Sequence, residues 1–330
     1  MSDALPITPT ARRYFEYLPV GLFGSVMGLT GLSIAWHLAE VRYGWPEWPS
    51  NALGIVAVVD FVTLVVAYGA KVLSAGDIAR TELRHPIAGS LFGTIFISLL
   101  LLPIVISPVN LAAARVIWGI GAIGMIVFAW YMISRWLSDR QQAAHATPTW
   151  IIPVVGVLDV PLALPALDLP AFHGLAIFSL AIGLFFAIPL FTLIFSRLLF
   201  EPPMPDALKP ALMILLAPFA VGYSTYQVAA GQNDLFAAAL YSLTLFVLAV
   251  LVGQMRYLAK CCPFRVSWWA VSFPLAASAI ASLRFAAANP SLFTNTVAGV
   301  LLVLATATIL GLLGRTLFGI LRGELRTLSA

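Results

Sequence analysis

The chain has 330 residues, of which 61% are hydrophobic and 10% are charged, and its formal net charge at pH 7 is +4. Soluble domains carry roughly 25% charged residues, so this composition excludes an ordinary soluble protein and indicates an integral membrane protein. The basic residues are spread over many loops, which excludes the single basic patch of a nucleic-acid-binding protein. We therefore expect contact with membrane lipids and no contact with nucleic acid.

The first residues, MSDALPITPTARRYFEY, are polar and lack the apolar core and cleavage site of a signal peptide. Each membrane crossing needs about 20 apolar residues, so the length allows about ten crossings with short loops. We predict a cytoplasmic N-terminal tail at 1–17, a single transmembrane domain at 18–320 and a cytoplasmic C-terminal tail at 321–330.

Ten apolar stretches follow one another along the chain. They lie at 18–39, 51–73, 86–107, 111–137, 149–167, 171–197, 210–230, 235–258, 266–288 and 291–318. All of the 18 Lys and Arg residues except Arg42, Arg115 and Arg284 fall on one side of this arrangement. By the positive-inside rule that side is cytoplasmic. The sequence thus predicts an all-α protein of a bacterial-type inner membrane with both termini in the cytoplasm.

The odd-numbered stretches carry most of the prolines inside the apolar regions. They include Pro19, Pro86, Pro103, Pro153, Pro161, Pro218 and Pro274. A proline removes a backbone hydrogen bond, and in lipid such a defect is best tolerated against protein or a water-filled cavity. We predict five helical hairpins with the odd helices inside and the even helices outside.

Small residues favour the same division. Gly21, Gly24, Gly28 and Gly31 fall on one stripe of the first helix. Such a stripe indicates either close helix packing or the wall of a narrow lumen, and a pore helix needs both. The candidates for lining a pore are Gly24, Gly28, Pro153, Pro218 and Phe219.

Enzyme motifs are missing from the sequence. It contains no HExxH, no nucleophile elbow and no haem-type histidine pair on one helix. The adjacent Cys261 and Cys262 have no partners with metal-ligand spacing. We expect no catalytic residue, no metal and no cofactor.

Four passages together resemble one family. They are LPVGLFGSVMGLTGLSIAWHLAE in the first helix, ELRHPIAGSLFG entering the third, LAPFAVGYS in the seventh and WWAVSFPLAASAIASLRFA in the ninth. They resemble the TehA-like family of bacterial tellurite-resistance and C4-dicarboxylate (malic acid) transporters, which is related to the slow anion channels of plant guard cells. The resemblance covers nearly the whole chain. It implies a homotrimer in which each protomer has its own pore, formed by five inner helices in quasi-fivefold order.

The resemblance also implies a gate. In the family a phenylalanine just before the ninth-helix proline or glycine plugs the pore, and the matching residues here are Phe273 and Pro274, the latter a candidate kink. The alternative for Phe273 is a packed core aromatic. The expected function is movement of chloride, nitrate, dicarboxylate or an oxyanion such as tellurite through a weakly binding pore.

Polar residues inside the apolar stretches leave alternatives open. His85 either contributes to an anion vestibule or is an interfacial residue before a helix-starting proline. Arg284 either attracts anions or extends to the interface. For Asp60 and Arg115, in outer helices, we expect structural polar contacts.

Asp159 lies in the middle of the fifth stretch, where its negative charge would repel a permeant anion. One interpretation is a carboxyl group that stays protonated and couples proton movement to transport, as in a proton-coupled C4-dicarboxylate or tellurite carrier. The other is a pair with a neighbouring cation or hydroxyl that fastens two helices together.

Overall fold

A computed structural model describes residues 14–329, apart from the side chains of 255–261. The predicted N-terminal tail therefore lies outside the described residues except for 14–17, as does the side chain of Cys261. The described residues form helices and contain no strand, which confirms the predicted all-α class.

Ten helical segments of the described chain are long and apolar enough to cross a membrane, which confirms the predicted number. Numbered span 1 to span 10 in chain order, they are Val20–Tyr43, Trp48–Ser74, Ala88–Ile106, Leu111–Ser138, Pro148–Leu167, Pro170–Phe200, Asp206–Ala230, Leu235–Gln254, Val266–Ala288 and Leu292–Leu321. A short helix, Gly76–Arg84, follows span 2, and another, Leu325–Leu328, follows span 10.

Burial differs between the odd and the even spans. Between 56% and 83% of the residues in the apolar centre of each odd span are buried, against 22% to 39% in the even spans. Apolar side chains of even spans, such as Val66, Phe185 and Phe246, are about two-thirds exposed. The odd spans form the interior of the bundle, and the even spans turn apolar faces outward, where only lipid or another apolar surface suits them.

Each odd span begins with a stretch of 3₁₀ helix. These stretches are Val20–Phe23, Ala88–Phe92, Pro148–Ile151, Asp206–Leu216 and Val266–Val271. In three odd spans the α-helical part that follows has a proline at its second or third residue, namely Pro153, Pro218 and Pro274. Proline suits the first turn of an α-helix because the N–H groups there have no intrahelical acceptor. Pro274, predicted as a kink, marks the change from 3₁₀ to α-helix.

Span 5 departs furthest from α-helical geometry. Its middle, Gly156–Ala163, is a 3₁₀ helix that contains Asp159 and Pro161. Pro161 has no N–H to give to Leu158 O, three residues earlier, and Thr225 Oγ1 of span 7 donates to that carbonyl at 2.5 Å. Trp118 Nε1 of span 4 donates to the Val160 carbonyl at 2.9 Å. Neighbouring side chains thus satisfy backbone groups that an α-helix would have satisfied internally.

The short helix Gly76–Arg84 fixes the start of span 1 through Glu82. One carboxylate oxygen of Glu82 accepts from the Val20 N–H at 2.7 Å. The other accepts from Lys71 Nζ at 2.6 Å and from the Tyr68 hydroxyl at 2.9 Å. Lys71 also donates to the Leu18 carbonyl at 2.6 Å, and its side chain is 3% exposed. The buried ion pair therefore joins span 2 to the short helix, and hydrogen bonds from Val20 to Glu82 and from Lys71 to Leu18 attach both to the beginning of span 1.

Candidate functional site

A cavity of about 260 Å³ lies among the odd spans and extends from the ends where they begin to about their middle. All five odd spans line it, and no even span does so in the described part of the chain. The lining includes Gly24 and Met27 of span 1, Thr94 and Ile97 of span 3, Val155 and Asp159 of span 5, Ile214 and Val221 of span 7, and Trp269 and Phe273 of span 9. The cavity thus follows the axis around which the buried spans pack.

The wall of the cavity is mostly apolar. The hydroxyl of Thr94 is occupied by the Leu91 carbonyl at 2.6 Å, and that of Thr149 by the Thr147 hydroxyl at 2.9 Å. Three other lining residues, Asp159, Ser267 and Ser329, each have a buried oxygen without a hydrogen-bond partner among the described residues. The cavity therefore offers a polar ligand very few groups that are free to bind it.

Phe273 lies in the wall of this cavity and is 6% exposed. The preceding residue is fixed, because Ser272 Oγ donates to the Trp269 carbonyl at 2.6 Å and lies 3.2 Å from the Gly24 carbonyl. The ring lies beside Gly31 of span 1, where an added Cβ would be 3.5 Å from Phe273 Cδ2. The backbone is thus held while the side chain faces the space between the odd spans.

Asp159 reaches the same cavity from span 5. It is 2% exposed, and its Oδ1 has no hydrogen-bond partner among the described residues. None of the ion pairs found between described residues includes it. Among the described residues, Asp159 thus makes no contact with a cation or a hydroxyl of the kind that would fasten two helices together.

Among the residues predicted to line a pore, only Gly24 lies in the wall of this cavity. Gly28 packs against span 9, where an added Cβ would overlap the side chain of Ser272. Pro153 and Pro218 are buried outside the wall. The ring of Phe219 packs edge-on against Phe191 of span 6, with ring centroids 5.7 Å apart, so it points away from the axis.

The other two anion-attracting candidates, His85 and Arg284, lie at opposite ends of the bundle. His85 Nδ1 accepts from the N–H groups of Ile87 and Ala88, at 3.2 and 3.1 Å, and so caps the start of span 3. Arg284 Nη1 donates to the Ser224 carbonyl of span 7 at 3.4 Å, near the end of span 9. Neither residue lines the cavity.

Asp60 and Arg115 make the structural contacts expected of them. Asp60 of span 2 accepts from the hydroxyl of Ser25 in span 1 at 2.5 Å. Arg115 of span 4 donates to the carbonyls of Leu167 and Asp168 at the end of span 5, at 3.0 and 3.3 Å. Each residue joins an outer span to an inner one.

Sequence reasoning missed two lining residues that lie outside the odd spans. They are Leu328 and Ser329, in the segment predicted as a C-terminal tail. It also missed Ser267, another cavity-lining serine whose buried hydroxyl has no hydrogen-bond partner among the described residues. Leu328 is one of three leucines in the segment 321–330, and Ser267 lies beside two tryptophans, so neither position stands out in the sequence.

Ten apolar helices, five of which surround an interior cavity, define a multi-pass membrane protein with its site inside the helix bundle. Residues 17–317 match the profile of the SLAC1 family, described as voltage-dependent anion channel. This match takes in most of the chain, and the chain belongs to that family. The resemblance to TehA-like proteins and plant slow anion channels is thereby confirmed.

Individual relatives agree with this assignment. The S-type anion channel SLAH3 of Arabidopsis thaliana is 26% identical over 91% of this chain and 48% of its own length. The guard cell S-type anion channel SLAC1 of the same plant is 22% identical over 91% of this chain and 55% of its own. The tellurite resistance protein TehA homolog of Haemophilus influenzae is 26% identical over 81% of both chains.

The two plant channels are longer than this protein, whereas the TehA homolog is of similar length. The chain spans about half the length of the two plant channels named above. Their names describe anion channels and a resistance protein, not enzymes.

Proposed function

We propose that the protein is an anion channel that moves small anions, such as chloride, nitrate, a dicarboxylate or an oxyanion like tellurite, through the cavity between its odd spans. The observation that carries the proposal is the cavity itself, which all five odd spans line and which contains Phe273. Membership of a family described as anion channels supports the same conclusion.

The cavity wall suits conduction better than tight binding. Conduction requires that an ion is held weakly enough to leave. Apolar side chains and a hydroxyl already occupied, that of Thr94, give a passing anion few strong contacts. Arg265 is the one Lys or Arg among the described lining residues, and it lies just before span 9. Its charge favours anions over cations at that end of the cavity.

Phe273 serves as the gate in this proposal. Its ring is apolar and mostly buried. When the ring lies across the anion path, it leaves no room for water at that point of the cavity. Stripping water from an ion costs several kcal/mol even in a relaxed protein environment. The backbone beside Phe273 is held through Ser272. The gate therefore opens by rotation of the Phe273 side chain about its first torsion, without movement of the backbone.

The test is anion flux into liposomes that contain purified protein with Phe273→Ala. Relief of about 3 kcal/mol from the barrier corresponds to a rise in flux of about 100-fold. Phe128→Ala is the matched control, since Phe128 is equally buried, at 7%, and packs against Phe96 away from the cavity. If correctly folded Phe273→Ala shows unchanged flux for every one of the anions named above, Phe273 is not the gate.

A second candidate function is favoured by one observation, the unpartnered carboxyl of Asp159 in the cavity wall. A protonated Asp159 would leave the path neutral and give up its proton to one side of the membrane, as in a proton-coupled carrier of dicarboxylates or tellurite. Reversal potentials in a pH gradient separate the two functions. A carrier shifts its reversal potential with the gradient and loses the shift in Asp159→Asn, whereas Asp60→Asn keeps it.

The proposal includes the setting of the protein. The distribution of Lys and Arg supports cytoplasmic termini in a bacterial inner membrane. The family resemblance supports five inner helices in quasi-fivefold order and a homotrimer with one pore in each protomer. Light scattering of the purified protein in detergent measures the number of chains, and a monomer would contradict the trimer.

A further inference from the structure

The end of the described chain turns back on span 10. Gly323 has a φ of +70°, which glycine adopts without strain, and the Glu324 N–H donates to the Gly319 carbonyl at 2.8 Å. The short helix Leu325–Leu328 follows this reversal. We call residues 322–329 the C-terminal hook.

Three contacts hold the hook in place. Arg315 of span 10 pairs with Glu324 at 3.3 Å, and Arg326 pairs with Glu16, just before span 1, at 3.2 Å. Leu328 is 6% exposed and lies against Gly319, where an added Cβ would overlap its Cδ1 atom. The hook is therefore fastened both to the last span and to the segment that enters the first span.

The hook also forms part of the cavity wall. Leu328 and Ser329 line the cavity together with Ala207, Leu208 and Arg265, which lie where spans 7 and 9 begin. The buried hydroxyl of Ser329 has no hydrogen-bond partner among the described residues. The hook thus lies at the mouth of the cavity on the face where the odd spans begin.

We propose that the C-terminal hook is an autoinhibitory cover of the cavity mouth, which must swing aside for anions to enter from that face. The inference rests on the proposed function, since it takes the cavity as the anion path. Both ion pairs of the hook are partly exposed, with side-chain exposures of 38% and 37% in one and 74% and 32% in the other. Exposed pairs contribute little and weaken with salt, so Leu328 supplies most of the attachment.

The test measures how fast a cysteine behind the hook reacts with a membrane-impermeant maleimide. Ala270→Cys places the thiol in the cavity wall, one turn before Phe273. We expect Leu328→Ala to raise the labelling rate about tenfold, because it removes most of the buried apolar side chain that holds the hook. Leu321→Ala, a matched change at a side chain that is 86% exposed, leaves the rate unchanged.

A second variant displaces the hook without altering it. Gly319→Leu fills the space that Leu328 occupies, and we expect the same increase in labelling. Arg80→Cys, on the exposed side of the helix Gly76–Arg84, is the accessibility control and reacts at one rate in every background. Unchanged labelling of Ala270→Cys in both hook variants overturns the proposal.

Flux separates the hook from the gate. In a Phe273→Ala background, where the mouth limits entry, Leu328→Ala should raise anion flux severalfold, and faster labelling without faster flux overturns the inhibitory role. The labelling result does not depend on transport. It therefore decides whether the hook covers the mouth, whatever the flux measurements give. Absence of anion flux through Phe273→Ala would instead overturn the proposed function.

Discussion

The buried pair between Glu82 and Lys71 gives the sharpest stability prediction. Glu82→Gln keeps the shape of the side chain and an oxygen that accepts from the Val20 N–H, but it removes the negative charge. Lys71 then remains with its side chain 3% exposed and no carboxylate beside it. Breaking one partner of a buried ion pair costs about 3–5 kcal/mol, because the remaining charge is desolvated without compensation. For a chain of this size that corresponds to a fall in Tm of about 10 °C.

The assay is the fraction of folded protein that survives heating in detergent, followed by size-exclusion chromatography with fluorescence detection. The control is Lys71→Met combined with Glu82→Gln, which removes both charges. Replacing both partners of a buried pair is often close to neutral, so the double variant should recover at least half of the lost Tm. The reasoning is refuted if the single variant loses less than about 2 °C, or if the double variant is less stable than the single one.

Two further predictions concern helix packing. Gly28→Val should abolish the folded monodisperse peak, because its Cβ would overlap Ser272, whereas Gly119→Val, at a glycine with no neighbour within 4 Å, should leave that peak intact. A normal peak from Gly28→Val would contradict the close contact of spans 1 and 9. Thr225→Val should lower the unfolding free energy by about 1–3 kcal/mol, because the Leu158 carbonyl loses its 2.5 Å donor, and an unchanged melting curve would show that another group satisfies it.

Hydropathy predicted the ten spans well because crossing a membrane requires long apolar helices, whatever their packing. The glycine stripe of span 1 was harder to interpret. Gly24 reaches the cavity, whereas Gly28, one turn further along, packs against Ser272. Both glycines lie on one stripe in the sequence. Only the position of span 9 in the structure shows which of them lines the cavity and which packs against another helix.

Two phenylalanines beside prolines show the same limit. Phe273 precedes Pro274 and faces the cavity, whereas Phe219 follows Pro218 and packs against span 6. Positions before and after a proline are two residues apart, which is about 200° around an α-helix. The resemblance to a family identified the first as the gate candidate, but composition and spacing alone treated the two alike.

Neither the 3₁₀ stretches nor the hook could be predicted from the sequence, and the reasons differ. A 3₁₀ start needs only a few residues and has no pattern separable from an α-helix over that length. Span 5 depends on partners far away in the chain, since Thr225 and Trp118 supply the donors for its carbonyls. The hook depends on Gly319 and Glu16, which lie in other segments.

The most direct test of the anion path is chemical block of the cavity in the gate variant. Val221→Cys places a thiol in the cavity wall on span 7, and Val127→Cys places one on the outward face of span 4, where the side chain is 54% exposed. Both are combined with Phe273→Ala, and flux is measured before and after a charged thiosulfonate, with Phe273→Ala alone as the reagent control. We predict that modification abolishes flux through Val221→Cys and leaves flux through Val127→Cys unchanged. Full modification of Val221→Cys with undiminished flux would show that anions do not pass through this cavity.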